Sequence, residues 1–445
     1  MGRVTIEELR EAVASGRIDT VVLGFADMQG RLQGKRFTAG HFLDAVLDHG
    51  SEACNYLLAV DVEMNPAPGY EMASWERGYG DFETVPDLST LRETPWNEGA
   101  ALILADLLWH DHSPVLASPR QVLRAQLERL SERGWSGLAA TELEFIVFDE
   151  SYREASAADY QGLTPANHYN LDYSILGGSY VEPLIRRIRN EMTAAGMVVE
   201  NSKGECNLGQ HEVNFRYADA LATADDHVVY KTGAKEIAVQ EGMAITFMAK
   251  YDEREGNSCH VHFSLRDGSG SPVFADSPDL FDSFLSGVLA SLRELTLFHA
   301  PHVNSYKRFA EGSFAPTTVA WGNDNRTCSV RVIGDGMARR LELRCPGADV
   351  NPYLSLAAII VAGLDGIDRG LPATAPLEGN AYAADAERLP VTLREGQELF
   401  AGSSLARSAF GDEVVDHYVN CAQVELDAFN STVTDWELRR GFERF

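Results

Sequence analysis

The 445-residue sequence predicts an α+β protein in two units, a small strand-rich one over residues 1–110 and a larger one over 114–445. Three observations predict it. Short apolar strands in the first unit flank a glycine turn, with a helix on either side. Beyond residue 114 long helices alternate with strands. Several of those strands carry charged residues on one face and aliphatic residues on the other, as an antiparallel sheet with one wet face requires.

Taken in order, residues 5–15 have the spacing of an amphipathic helix. "DTVVLGFADMQGRLQGKRF" is two strands around a turn at Gly30. The "GRLQGKR" within it is one residue short of a phosphate loop and has Arg36 in place of the hydroxyl residue, so it is not one. A helix over 40–49 precedes the strand-like runs "NYLLAV" and "AALILADLLW". Between those runs lies a long loop, 65–90, rich in Gly, Pro and aromatics, a length typical of functional or partner-binding loops. "HDHSPVLASPR" is a linker in which Ser118 and Pro119 cap the next helix. Helices are predicted over 119–133, 181–195, 218–242, 278–298, 350–365 and 411–429. Strands are predicted over 138–148, 210–217, 244–250, 258–266, 317–321, 328–333 and 339–345.

The bulk composition narrows the function. A formal charge of −28 argues against nucleic acid and anionic membrane surfaces as partners. No apolar run approaches the ~20 residues that span a bilayer, and the N-terminus lacks the apolar core of a signal peptide. The six cysteines are scattered without a CxxC, which suits reduced thiols in a cytoplasmic protein. Cys259, beside two histidines, is expected to be a packed thiol.

The charged strand faces carry the chemistry. In "TELEF", Glu142 and Glu144 share a face only ~7 Å apart, and burying an unpaired charge is costly. In "GQHEVNFRY" the polar face is Glu212, Asn214 and Arg216; in "CHVHFSL" it is His260, His262 and Ser264; in "RRLELRC" it is Arg340, Glu342 and Arg344. A sheet curved so that these faces converge gathers carboxylates, imidazole and arginines in one cavity. Carboxylates with a histidine select Mg²⁺ or Mn²⁺, and arginines want phosphate or carboxylate. Together they describe phosphoryl transfer from a nucleotide. A glycosidase-type carboxylate pair would leave His260 and the arginines unused.

On "TELEF", "ECNLGQHE", "SCHVHFSL", "NSYKR", "NDNRTCSVRV", "RRLELRCPGADVNPYL" and "AGLDGI", the chain resembles the glutamine synthetase superfamily over nearly its whole length. The resemblance implies an N-terminal β-grasp domain and a catalytic domain with a curved antiparallel sheet flanked by helices. It implies ATP as co-substrate, glutamate as substrate, two or three Mg²⁺ (or Mn²⁺) ions per site, and a ring assembly. The bacterial dodecamer of two stacked hexamers is the class resembled most, with intersubunit active sites that would employ the 65–90 loop. Residue by residue, Glu144, Glu205 and Glu212 resemble ligands of one metal, and Glu142, His260 and Glu342 those of a second. His262, Ser264, Arg331 and Arg340 resemble nucleotide contacts. Arg308, Arg344 and Gly256 resemble the glutamate site, and Arg326 the residue on the transferring phosphoryl group; Arg326, Glu212 and Arg308 form the implied catalytic set.

The departures concern the amine. Ammonium-using members place a Glu on the flap where this chain has Phe314 in "YKRFAEGSFAPTT", with Glu311 three residues earlier. They also take an Asp from a neighbouring N-terminal domain, where this chain has Asn55, with Asp61 further on. Loss of negative charge and gain of an apolar ring suit an amine with a carbon substituent, such as methylamine, ethanolamine or a polyamine. A γ-glutamylamide synthetase, or glutamate–amine ligase, is therefore the leading expectation, with an ammonium-using glutamine synthetase as the alternative. A silent scaffold is disfavoured because all six metal ligands are present. Tyr180, Tyr173, Glu182 and Phe314 are the candidate amine-pocket residues. Glu255 stands where the family usually has Asn, and Tyr382, near the tyrosine modified in some members, is expected to be a surface residue.

Overall fold

The computed structural model describes residues 2–445 and contains two β-sheets. The first is built from β1 (Thr20–Ala26), β2 (Leu32–Thr38), β3 (Ser51–Cys54), β4 (Asp81–Pro86), β5 (Arg92–Glu93) and β6 (Ala100–Leu108). Its order is β2-β1-β6-β4-β3, with β1 and β6 parallel and β5 on β6. The β1–β2 turn is held by buried Asp27, whose carboxylate accepts the backbone N–H groups of Gln29 and Arg31 and the Arg31 Nε–H at 2.7 Å. Gly30 sits there at φ +72°, a conformation that only glycine takes at no steric cost. The Ile6–Ala14 helix, closed by a Thr5–Glu8 capping box, covers one face through Leu9 and Ala12.

The second sheet holds the charged faces. Its strands are β7 (Trp135–Phe148), β8 (Val199–Gly204), β9 (Gln210–Phe215), β10 (Ala218–Asp219), β11 (Ala244–Thr246), β12 (Cys259–Asp267), β13 (Trp321–Asn323), β14 (Val330–Ile333) and β15 (Arg340–Leu343). The order is β13-β14-β15-β12-β7-β9-β8, with β10 and β11 also on β7. All pairs are antiparallel except β13–β14. Leu143, Phe145, Val147, Val261, Phe263, Leu341 and Leu343 form the apolar face, each at most 1% exposed. That face packs on helices Pro119–Ser131, Ala220–Gln240 and Pro352–Asp368, the last almost wholly buried. The alternation of the sequence thus becomes a helix-covered apolar face and a charged one whose residues are themselves largely buried.

Several elements differ from expectation. "NYLLAV" is not a strand: Asn55–Leu58 is a 3₁₀ turn. The 65–90 loop is shorter, because Asp81–Pro86 pairs with β3 and β6. The strand expected over 317–321 starts only at Trp321, and the helix expected over 278–298 breaks after Ser291 and resumes at Thr296. Ser118 precedes its helix without a side-chain cap, leaving Pro119 to open it. Short elements with few apolar residues, such as Val199–Gly204 and Leu393–Gly402, were outside the periodicity reading. Among the described residues no helix is long and apolar enough to cross a membrane, and no cysteines are paired.

Candidate active site

Strand register brings the charged residues together. Glu142 on β7 stands opposite His260 on β12, and Glu144 opposite Glu212 on β9. On the other side of β12, His262 faces Glu342 on β15, which in turn faces Arg331 on β14. Five strands therefore deliver one row of chemistry across the sheet.

Glu205 joins Glu144 and Glu212 from the turn after β8, and one oxygen of each lies within 4.8 Å of the others. The turn is shaped by Gly209, at φ +70°, where a Cβ would fall 2.4 Å from the Val147 carbonyl oxygen. Glu144 accepts the Ser258 backbone N–H at 2.7 Å and the Gln210 amide at 3.0 Å. Gln210 also donates to the Gly256 carbonyl at 2.9 Å and to Asn257 Oδ1, fastening the 256–257 turn to this cluster. Asn214 donates to Glu212 at 2.6 Å, and Lys203 pairs with Glu205. Lys203 beside Glu205 and the more distant Arg308 acting on Glu144 do not match three carboxylates, so the cluster stays under-neutralised. Burial, and then the Glu205 and Glu212 charges, push the Glu144 carboxyl far above the ordinary range. Burial, then Glu142 and Glu205, push Glu212 up to about 8. Glu205 is also raised, mainly by burial. An all-oxygen pocket with surplus negative charge fits a hard divalent cation.

The second cluster is balanced differently. Donor atoms of Glu142, His262 and Glu342 lie within 4.8 Å of one another. His260 Nδ1 is 3.2 Å from Glu142 and 3.6 Å from Glu342, while its buried Nε2 has no partner. Both imidazoles therefore reach the carboxylates, and His262, expected to face only the nucleotide, is as close as His260. Burial works against the Glu142 charge, but hydrogen bonds with His260 and His262 outweigh it and hold the carboxyl low. Glu342 is fully buried and held down at about 2, its burial overcome by His260 and Arg344. Burial and then Arg344 push the His260 imidazole down to about 4, keeping it neutral and able to donate a lone pair. Two carboxylates with neutral imidazole fit Mg²⁺ or Mn²⁺.

The arginines divide into anchored and open groups. Arg331 donates to Glu342 at 2.8 Å and pairs with Asp324; Arg340 Nε–H donates to His262 Nδ1 at 3.2 Å. Arg344 pairs with Glu342 and donates to the Phe314 carbonyl at 3.3 Å. Arg308 is 1% exposed and spends its NH groups on Ser258 Oγ and on the Arg344, Cys345 and Pro346 carbonyls, with Nε unpaired. Gly256 lets it in: a Cβ there would meet Arg308 Cγ at 2.8 Å. Arg326 is exposed on the 324–327 loop, and Ser264 is buried on β12.

The amine-pocket residues are not brought together within one chain. Phe314 is 55% exposed, while Asn55 is buried in the first unit, donating to the Met72 carbonyl at 3.1 Å. Tyr180 is exposed and packs edge-on to His168 and Tyr169. Tyr173 lies under Lys203, the partner of Glu205. Glu182 pairs with Arg189, and the Glu255 carbonyl accepts the Asn207 amide at 2.8 Å. Cys259 is the packed thiol expected, with burial raising its pKa. Tyr382, expected at the surface, is of intermediate exposure, and its hydroxyl donates to the Ala315 carbonyl at 3.0 Å. Sequence reasoning missed Gln210, Lys203 and Ser258 as supports of the carboxylates. Gln210 lies inside "GQHE" and was legible there; the Ser258 N–H carries no side-chain signal.

Residues 116–441 match the glutamine synthetase catalytic domain. The chain is 62% identical over 442 residues to the γ-glutamylethanolamide synthetase of Streptomyces coelicolor, covering 99% of this chain and 96% of that one. It is 39% identical to the glutamate–isopropylamine ligase of a Pseudomonas species, over 98% and 97% of the two chains. Its fold superposes on a solved structure of GmaS bound to ADP with a TM-score of 0.86 at 26% identity, covering 98% of this chain and 99% of that one. The chain belongs to the glutamine synthetase family of ATP-dependent C–N ligases, in the branch that holds γ-glutamylamide synthetases.

Proposed function

We propose that this protein joins glutamate to a small primary amine, ethanolamine first among them, giving a γ-glutamylamide, ADP and phosphate. The observation that carries the amine reading is Phe314, a half-exposed ring on the flap where a carboxylate would favour ammonium. The 62% identity to a γ-glutamylethanolamide synthetase supports ethanolamine over methylamine or a polyamine.

In this reading Glu144, Glu205 and Glu212 hold one divalent cation, and Glu142 and Glu342 hold another with His260 or His262. Such cations, when bound, offset the negative charge of the phosphates and of the acyl phosphate. Arg331, Arg340, His262 and Ser264 orient ATP. Arg308, Arg344 and the Gly256 turn orient glutamate, so that its γ-carboxylate oxygen attacks the terminal phosphorus in line and ADP departs. Arg326, exposed and free to swing in, stabilises the charge on the transferring group. The neutral amine nitrogen then attacks the acyl carbon of γ-glutamyl phosphate, the C–O bond to phosphate breaks, and the proton the nitrogen sheds passes to the departing phosphate or to solvent. Phe314 keeps water from that carbon, which would otherwise yield glutamate and waste the ATP. The two units, 1–110 and 114–445, assemble in this reading as a cytoplasmic dodecamer of two stacked hexamers. The exposed Trp436, Phe442 and Phe445 near the C-terminus suit burial in such an assembly.

Mass spectrometry of the product tests the proposal. With ATP, Mg²⁺, glutamate and equal ethanolamine and ammonium, γ-glutamylethanolamide is expected to dominate; glutamine as the main product contradicts it.

A further inference from the structure

The flap is held from two sides by residues far apart in sequence. Phe314 stands at φ +58°, in the left-handed region that a bulky side chain keeps only when its surroundings enforce it. Its own carbonyl accepts from Arg344, and the next carbonyl, that of Ala315, accepts from the Tyr382 hydroxyl at 3.0 Å. Inside the flap, Ser313 Oγ closes a turn onto the Ala310 carbonyl at 2.6 Å.

Tyr382 is itself moored. It lies in the Ala381–Ala383 3₁₀ turn, whose Ala381 N–H donates to Thr327 Oγ1 at 2.9 Å, on the loop that carries Arg326. Asn325 of that loop donates to the Gly379 carbonyl at 2.8 Å. Further on, the Val319 N–H donates to the Glu387 carbonyl at 2.7 Å and the Leu389 N–H to the Thr317 carbonyl at 3.0 Å. The 379–389 segment therefore runs beside the flap's outgoing limb and ties it to the arginine loop. Among the described residues, the Tyr382 hydroxyl makes the one side-chain hydrogen bond between this segment and the flap tip.

We propose that Tyr382 is a positioning residue for amine selection: by pinning Ala315 it fixes the Phe314 ring over the amine side of the site. The hydroxyl decides how well the enzyme separates substituted amines from ammonium and from water. This rests on the amine-ligase reading above. It also gives Tyr382 a task at the flap that needs no covalent modification. Burial raises the Tyr382 pKa, so the hydroxyl stays a neutral donor across the working range.

Tyr382→Phe keeps the ring and removes the donor. In the variant, the kcat/KM ratio for ethanolamine over ammonium should fall about tenfold, the size of losing one orienting contact in a specificity pocket. Glutamate-dependent phosphate release without any amine should rise, and amide exchange in residues 310–316 should quicken. In a Phe314→Ala background the same substitution should leave the ratio unmoved, because Tyr382 acts through that ring. An unchanged ratio in Tyr382→Phe overturns the proposal, as does an equal shift in both backgrounds. A uniform fall in kcat with the ratio and flap exchange preserved marks a merely structural role and also overturns it. Should the wild type use ammonium alone, the amine reading fails, and the latch is then judged by amine-free phosphate release and flap exchange. No rise in either overturns it too.

Discussion

Glu144 is buried against two further carboxylates, with a single lysine nearby to offset them. Like charges so placed destabilise the ion-free protein and wait for a cation. Glu144→Gln removes a carboxyl whose ionisation the site penalises while keeping a hydrogen-bonding group of the same shape. The metal-free variant should melt at or above the wild-type temperature, lose most of the Mg²⁺-induced rise in Tm, and lose activity by about a hundredfold or more, as for loss of a key electrostatic group. Differential scanning fluorimetry with and without Mg²⁺ separates these effects. At the flap, Phe314→Glu introduces a carboxylate where the resemblance places one in ammonium-using members. Its kcat/KM for ammonium should rise, by about tenfold or more, while that for ethanolamine falls. Steady-state phosphate release with each amine reads both changes, and an unchanged preference counts against the flap assignment.

At the scale of elements, the glycine turn between β8 and β9 is what places Glu205 beside Glu212. In Gly209→Ala the new Cβ would collide with the Val147 carbonyl in a backbone region foreign to alanine. The variant should lose about 1–3 kcal/mol of stability, the usual cost of such strain, and bind Mn²⁺ more weakly, as calorimetry can measure. How much of this was legible in the sequence follows from the same geometry. Strand alternation is local, so "TELEF", "CHVHFSL" and "RRLELRC" declared both their faces and their chemistry before any pairing was known. "NYLLAV" misled because a short apolar run has no period long enough to separate a strand from a tight turn, and buried Asn55 now starts that turn. "DFETVP" hid inside a loop because only Phe82 and Thr84 are buried in it. The Tyr382 contact was invisible for another reason: it joins segments 67 residues apart, and no local pattern signals it.

On the scale of the whole molecule, the buried carboxylates give the metal-free protein a distinctive pH response. Glu212, Glu144 and Glu205 have raised pKa values in the folded state. They therefore bind protons that the unfolded chain has already released, and the Glu212 contribution to stability is lost as pH rises through about 8. The depressed histidines, His260 at about 4 among them, act below pH ~6.5, where the unfolded chain takes up protons and stability rises with pH. Lys231, lowered to about 8, acts above that value, also with stability rising. Glu142 and Glu342, held low, are ionised throughout this range. Between pH ~7 and ~8 the strongly raised carboxylates, Glu212 and Glu144, dominate. The Tm of chelator-treated protein should therefore fall across this window, and saturating Mg²⁺ should flatten the slope. A metal-free Tm that is level or rises over the window contradicts the charge balance described for the trio.

In the proposed reading one charged sheet face activates glutamate while the Phe314 flap chooses a carbon-bearing amine. The most direct test of that reading is glutamate-dependent phosphate release from ATP with the wild-type protein and Mg²⁺, measured across ethanolamine, methylamine, isopropylamine, a diamine and ammonium at matched concentrations of free base. The account predicts the highest kcat/KM for a substituted amine, ethanolamine foremost, with ammonium at least about tenfold lower. Turnover with ammonium equal to or above that with every substituted amine contradicts it.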